Sequence, residues 1–513
     1  MTTPARRQYL RIKKKHPNEI LLFQMGDFYE TFDDDAQLVS RELEIALTSR
    51  EMGNRHRIPL AGIPCHALES YLVRLIRKGY RVAICDQTSD PAVSRGLVDR
   101  EVVRVVTPGT VVEESILQKN ANNYLVSAFV EGENAGVAYV DITTGEFAAS
   151  QFHVSKLPVE LDRLDPSEIL TSQDQIELSV DNGIMVTLID PGVFDFEWGT
   201  ELLLKHFGVV SLEAYGCDQF PLAVRSAGAI VEYLGRNHKV ALSQLTSLRT
   251  YSVSSFMVLD SQTRRNLDLF EGARSSNSKT SLLSVLDHTC TPMGGRLLKK
   301  WLGQPLLNLE EIYRRQEAVT WANSSALRRS SLASLLKSVS DLERLVSRVR
   351  GLTATPRDLL GLAQSLRVAP LLRNVMDEGS DAFQVKWLVD EIGDHEEVVQ
   401  LVGDSIEDDP PLSVGDGRVI RKEFSADLDA LRESSSDAQE YIAGLESKER
   451  ERTGIKSLKV GYNKVFGYYI EVSNSNLDRV PEEYVRRQTL VGGERYITPE
   501  MKEYETLILN AQE

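Results

Sequence analysis

Apolar and polar positions follow three successive patterns along the chain. Up to about residue 110, short apolar runs are interleaved with helical spacing. Ile20-Leu21-Leu22-Phe23 reads as a buried strand ended by Gly26, and "DDDAQLVSRELEIAL" (33–47) as a helix with acids in its first turn. "HALESYLVRLIRKGY" (66–80) predicts a second helix, with Leu68, Leu72, Leu75 and Ile76 on one face, and "YRVAICDQ" (80–87) a short buried strand. These form an α+β unit that closes at the Pro-Gly turn of "VTPGT". The polar stretch "ESILQKNANN" then leads to a second unit near Tyr124, where "NYLVSAFVEGENAGVAYVDITTGEFAASQF" predicts a three-stranded meander. "PSEILTS" and "GIMVTLID" add short strands, giving a mixed α/β domain to about residue 250.

From about residue 255 the spacing is helical. "SLASLLKSVSDLERLVSRVRG" predicts one helix with Leu332, Leu335, Leu336, Val339, Leu342, Leu345, Val346 and Val349 on a single face, closed by Gly351. "LEEIYRRQEAVTWA" and "TPRDLLGLAQSLR" read likewise, and "EDDPPLSVGDG" (407–417) interrupts the helical region. A long polar helix from Phe424 to Arg452 then enters the aromatic, glycine-punctuated ribbon "GIKSLKVGYNKVFGYYIEVSNSNL", and helix resumes at Pro499. The expected architecture is multidomain, α/β plus α: two α/β domains, then a helical arm with a small β insertion between outgoing and returning helices.

Charge sharpens this picture. The net charge is −16, yet residues 1–110 carry +3, residues 448–498 carry +3 and the remainder −22. Two mildly basic islands at opposite ends of an acidic chain suit two contact surfaces for one polyanion. The four cysteines lie far apart with no CxxC pair, as expected of reduced thiols in a cytoplasmic protein. No apolar run is long enough to span a membrane, and the N-terminus "MTTPARRQYLRIKKKHP" does not read as a signal peptide.

The unusual chemistry lies at "MGDFYE", where two aromatics and an acid follow a glycine. In an extended segment Phe28 and Glu30 project from one face and Tyr29 from the other. Phe28 either caps its own core or acts as a wedge. An apolar ring pushed between base steps unstacks them at a cost of a few kcal/mol, which is lower where pairing is already faulty. Glu30 is repelled by phosphates, but once protonated it can donate a hydrogen bond to an exposed base edge. Asp33-Asp34-Asp35 could hold a metal or simply favour a helix start.

These residues belong to segments that resemble a known family. "MGDFYETF", "IPLAGIPCHALESYL", "VAICDQTSDP" and "VVRVVTPGT" are similar to the mismatch-recognition domain of bacterial MutS DNA mismatch repair proteins. "LLSVLDHTCTPMGGRLLKKWLGQPL", "ERERTGIKSLKVGYNKVFGYYIEVS" and "YVRRQTL…ERYITPEMKEYE" resemble that family's core and clamp. The resemblance implies a mismatch-recognition domain at 1–112, a ribonuclease H-like connector at 120–250, a helical core and lever at 255–428 with 498–513, and a clamp at 429–497. It implies that Phe28 stacks on the mispaired base, Glu30 contacts that base and Arg50 contacts the DNA backbone. Lys456, Lys459, Asn463 and Lys464 would carry sequence-independent clamp contacts. The family commonly has a polar, often basic pair before "ERY", whereas this chain reads "LVGGERY".

Further expectations follow from the resemblance: binding of double-stranded DNA with mispairs or small unpaired loops, a homodimer, and a repair partner of the MutL type on the connector. The family is an ATPase using ATP and magnesium, but this sequence has no G-x-x-x-x-G-K-[ST] loop. The nearest stretch, "EGARSSNSKTSLL", places Ser278 where lysine belongs. The nucleotide domain is therefore expected beyond Glu513, and the chain is expected to bind DNA without being an enzyme or holding a cofactor. Two rivals stay open. "AYVDITTGEF" looks similar to ribonuclease H-like strands, with Asp141 at a metal-acid position and Glu146, Glu160 and Asp162 as further candidates for two-metal nuclease chemistry. The helical arms could instead serve as a protein scaffold.

Overall fold

The computed structural model describes residues 3–51, 57–88, 98–172, 184–270, 280–412, 414–415, 417–463 and 467–512. It forms two units, essentially Met1–Val402 and Gly403–Glu513.

The first unit opens with helix α1 (Pro4–Lys13) and a six-stranded sheet: β1 (Ile20–Met25), β2 (Phe28–Phe32), β3 (Thr48–Glu51), β4 (Arg57–Pro64), β5 (Val82–Gln87) and β6 (Arg100–Val106). Its order is β3-β4-β2-β1-β5-β6, with β1 and β5 parallel and the other pairs antiparallel. Helices α2 (Asp33–Leu43) and α3 (Leu68–Arg77) follow the expected periodicity. They cover one face around Leu22, Tyr29, Ala61, Ile63 and Ile84. The other face holds Phe23, Phe32 and Cys85, packed on Tyr9 and Ile12 of α1. Tyr9 meets both phenylalanine rings edge-on, with centroids 5.6 and 4.7 Å away.

The meander reading holds. β7 (Leu125–Glu131), β8 (Asn134–Asp141) and β9 (Glu146–His153) pair antiparallel in sequence. β10 (Glu168–Ser172) and β11 (Met185–Ile189) extend the sheet in parallel beyond β7, and β12 (Arg249–Thr250) pairs parallel to β9. Helix α4 (Leu157–Leu164) packs on one face. The other face receives α5 (Phe196–Phe207) and α6 (Pro221–Asn237), the latter through Ala223, Ala227, Ile230 and Leu234.

His238 caps the end of α6, and its Nδ1 accepts the Ala241 amide at 3.2 Å. Burial, reinforced by Arg104, pulls its pKa down to about 4. The unfolded imidazole titrates near 6.5, so between these values the unfolded chain binds the extra proton. This contribution to stability is therefore full above about pH 6.5 and falls by ~3 kcal/mol on acidification to about pH 4. The thermal unfolding midpoint should fall less steeply over that range in His238→Gln than in wild type. Parallel declines would contradict the assignment.

The two sheets share a buried polar joint. Glu168, fully buried on β10, accepts hydrogen bonds from Thr107 Oγ1, the Gly109 amide at 3.1 Å, Thr187 Oγ1 at 2.6 Å and Tyr233 Oη at 2.8 Å. Thr107 and Gly109 belong to the turn after β6, so one carboxylate binds the end of the first sheet to the second. The following linker is held by arginines from the helical region. Arg296 donates to Lys119 O at 3.1 Å, and Arg344 to Gln118 O at 2.9 Å and Ala121 O at 3.1 Å.

The single helix expected over 332–349 is instead two, Ala326–Leu336 and Leu342–Arg350. Asp341 explains the break. Its carboxylate caps the second helix and takes both terminal nitrogens of buried Arg296 at 2.7 Å, while the Ser340 amide donates to Ser365 Oγ at 2.9 Å. The cap and the bidentate pair replace helix bonds that a continuous rod would make. Helices Leu309–Ser324 and Pro356–Asp377 match the pattern.

The second unit is built on the helix Ala426–Thr453, capped by Ser425 and ended by Gly454 in the left-handed region. Its sheet comprises β13 (Lys459–Asn463), β14 (Gly467–Ser473), β15 (Val485–Thr489) and β16 (Gly493–Ile497), in the order β13-β14-β16-β15. Ile470, Val472, Tyr496 and Ile497 pack on Ile442 and Leu445 of the long helix and on Met501 and Ile508 of helix Pro499–Gln512. The outgoing and returning helices pack antiparallel, with Tyr441 and Tyr504 stacked at 3.9 Å.

Candidate nucleic-acid interface

The turn before "FYE" sets where its three side chains point. β1 and β2 form a hairpin in which Met25 pairs with Phe28, leaving Gly26 and Asp27 as the turn. Gly26 lies at φ +62°, a conformation a two-residue hairpin turn asks of glycine. The strand alternates from there. Tyr29 points into the core and donates to Asp86 Oδ1 at 2.7 Å, whereas the Phe28 ring emerges 48% exposed. Glu30 follows Phe28 on the same face, and Phe32 dives beneath α1.

The sheet keeps this face open. Gly62 on β4 lies opposite Glu30, and a Cβ there would touch both Glu30 Cγ and Phe28 Cδ1 at 3.8 Å. Glycine thus leaves free the surface between ring and carboxylate. Below, Arg100 braces the hairpin. It is buried with its guanidinium over Phe23, and its Nε donates to Gln24 O at 2.6 Å. Gln24 in turn accepts the Gln87 amide at 2.9 Å.

Arg50 lies on edge strand β3 and reaches across β4 to Glu30, where Nη1 stands 3.1 Å from both carboxylate oxygens. Desolvation lifts the Glu30 carboxyl above the ordinary glutamate range, and the Arg50 charge offsets part of that rise. Arg50, twenty residues beyond Glu30, therefore joins Phe28 and Glu30 in one cluster. Sequence reasoning missed Gly62 and Arg100. An arginine heading the apolar strand "REVVRVV" was the available signal for the second.

The second-unit sheet has one core face and one polar face. The polar face carries Lys459, the Tyr469 ring lying over Gly461, and Arg495, which stacks on Tyr469 at 4.1 Å and pairs with Glu471 at 2.9 Å. Lys456, just before β13, and Lys459 are both exposed, as is Tyr462. Asn463 ends β13 half-buried. Lys464 lies outside the described residues, as do Gly272, Ser278 and Lys279 of the loop considered for phosphate binding. Arg487 on edge strand β15 is exposed and went unremarked in the sequence. The departure "LVGGERY" has a structural cause at its last glycine: a Cβ on Gly493 would fall 2.3 Å from Val472 O.

The nuclease reading is not favoured. Asp141 is fully buried and already accepts Asn122 Nδ2 at 2.9 Å, the Asn123 amide at 3.2 Å, and the Thr143 amide and hydroxyl at 2.9 and 2.7 Å. Glu146 is bound by Tyr124 and Lys300, and Glu160 by Arg163, so these carboxylates do not converge. Asp33 pairs with Arg6, and Asp35 with Lys13 at 2.9 Å, which ties that acidic run to α1. No helix among the described residues is long and apolar enough to cross a membrane.

Comparison with known proteins agrees with this arrangement. Models of MutS domain I, MutS domain II and MutS domain III match residues 3–115, 123–246 and 262–502. Relatives named DNA mismatch repair protein MutS include those of Dehalococcoides mccartyi strain CBDB1, 46% identical over 513 residues, and Symbiobacterium thermophilum, 44% identical over 522 residues. A third, from Halothermothrix orenii, is 42% identical over 518 residues. Each alignment covers 100% of this chain and 60%, 60% and 58% of the respective relative. The chain thus spans about 60% of the length of these relatives, carries three domains of one family in order, and belongs to the MutS family.

Proposed function

We propose that the chain binds double-stranded DNA and selects mispairs or small unpaired loops by testing how readily the duplex unstacks. The observation that carries this reading is the exposed Phe28 ring beside Glu30 on an open face of the sheet, in a chain whose relatives are named for mismatch repair. The ring gains stacking energy only where a base step yields. The half-buried carboxylate penalises sound duplex. Near phosphates it takes up a proton and donates to an exposed base edge, a change that its raised pKa already favours. Lys456 and Lys459, with Asn463 and Lys464, supply backbone contact that ignores sequence.

The domain assignment belongs to the same proposal: recognition at 1–112, connector at 120–250, helical core and lever at 255–428 and 498–513, clamp at 429–497. A meander extended by two parallel strands supports a ribonuclease H-like connector. A second copy closing around the duplex, a MutL-type partner on the connector, a cytoplasmic setting and ATP with magnesium in the whole protein complete it.

The test compares affinity for a G·T-containing duplex with that for its matched counterpart at one stated salt concentration. The G·T duplex is expected to bind more tightly; equal affinities overturn the reading.

A further inference from the structure

Arg50 poses a problem for a simple backbone contact, because in the free chain its guanidinium is engaged with Glu30. The pair is asymmetric. The Arg50 side chain is 50% exposed on an edge strand whose four residues all face solvent, whereas the Glu30 side chain is 14% exposed and fixed between β1 and β4. A guanidinium so placed can exchange one anionic partner for another, and a phosphate likewise offers a pair of anionic oxygens to it. The carboxylate cannot follow it. The other positions beside Glu30 are uncharged, Phe23 on β1 and Gly62 on β4, and among the described residues the one further charge that acts on it is Arg100 from β6.

We infer that Arg50 is a transferable counter-ion: it neutralises Glu30 in the free chain, moves to a DNA phosphate on binding, and so leaves the carboxylate unpaired against the duplex. The penalty that Glu30 imposes on sound DNA is thus set by Arg50, which acts as a specificity-determining residue without touching a base. On a mispair the released carboxylate recovers a partner in the displaced base; on matched duplex it does not. The inference rests on the DNA-binding reading above.

A double-mutant cycle on matched duplex across a range of salt tests it, using the full chain with Arg50→Met, Glu30→Gln and both. In wild type, breaking the pair offsets part of the phosphate contact, so Arg50→Met should weaken binding by about twofold or less. In the Glu30→Gln background the same change should cost up to about fivefold more, the range of one exposed ion pair. The slope of log K against log salt should fall by about 0.9 when Arg50 is removed from wild type. Independent effects of the two substitutions, or an unchanged slope, overturn the inference. In the free chain, Arg50→Met should raise the pH at which Glu30 titrates, and an unchanged titration also overturns it. Matched duplex needs no mispair recognition, so this cycle can fail while the Phe28 test below succeeds, and the reverse.

Discussion

Replacing Phe28 by alanine is expected to abolish the preference for mispaired duplex while leaving the fold and weak DNA binding in place. The ring stands 48% exposed at the first position of β2, outside the packed Tyr9–Phe23–Phe32 group, so its removal should cost less than about 1 kcal/mol of stability. Its value lies in the complex. Stacking on one base is worth ~1–3 kcal/mol, roughly a 5- to 150-fold preference, and none of it is available on duplex that refuses to open. Binding of Phe28→Ala to G·T and matched duplexes by titration should therefore give a ratio near one. A variant that still discriminated would show that the ring does not read the mispair.

The second large effect concerns the joint between the sheets. Glu168→Ala removes the acceptor for two hydroxyls, one phenol and one amide, all buried in one place. Hydrogen bonds to a charged group contribute ~1.5–3 kcal/mol each, and the stranded donors add a desolvation penalty. A loss of ~3 kcal/mol or more is expected, read as a lower unfolding midpoint in denaturant. Glu168→Gln keeps the shape and part of the acceptor capacity, and should lose less. Because the donors come from both sheets, limited proteolysis should cut the 107–123 segment of Glu168→Ala faster than that of wild type. Equal midpoints for the alanine variant and wild type would show that the carboxylate is not the joint.

Much of this was legible in the sequence, where local signals agree with the fold. The strand at 20–25, the meander of β7 to β9, the long capped helix and the paired helices around the ribbon all follow from periodicity and punctuation. What escaped has physical reasons. β4, "RIPLAGIP", carries two prolines and a glycine, residues that argue against an interior strand, yet it lies between β3 and β2. The apolar face over 332–349 looked continuous because spacing cannot register that Asp341 is held by Arg296, 45 residues earlier. At the site, period-two alternation put Phe28 and Glu30 on one face. It said nothing of Arg50, which the β3-β4 hairpin delivers to the Glu30 carboxylate. Family resemblance had assigned that arginine to the backbone.

The most direct measurement of the central claim uses 2-aminopurine placed beside a G·T pair, whose fluorescence rises when the base unstacks. Wild type should raise the signal on mispaired duplex and leave the matched control unchanged, while Phe28→Ala, at saturating protein, should raise neither. An equal rise with Phe28→Ala would mean that the duplex opens without the ring, and the wedge account would be wrong.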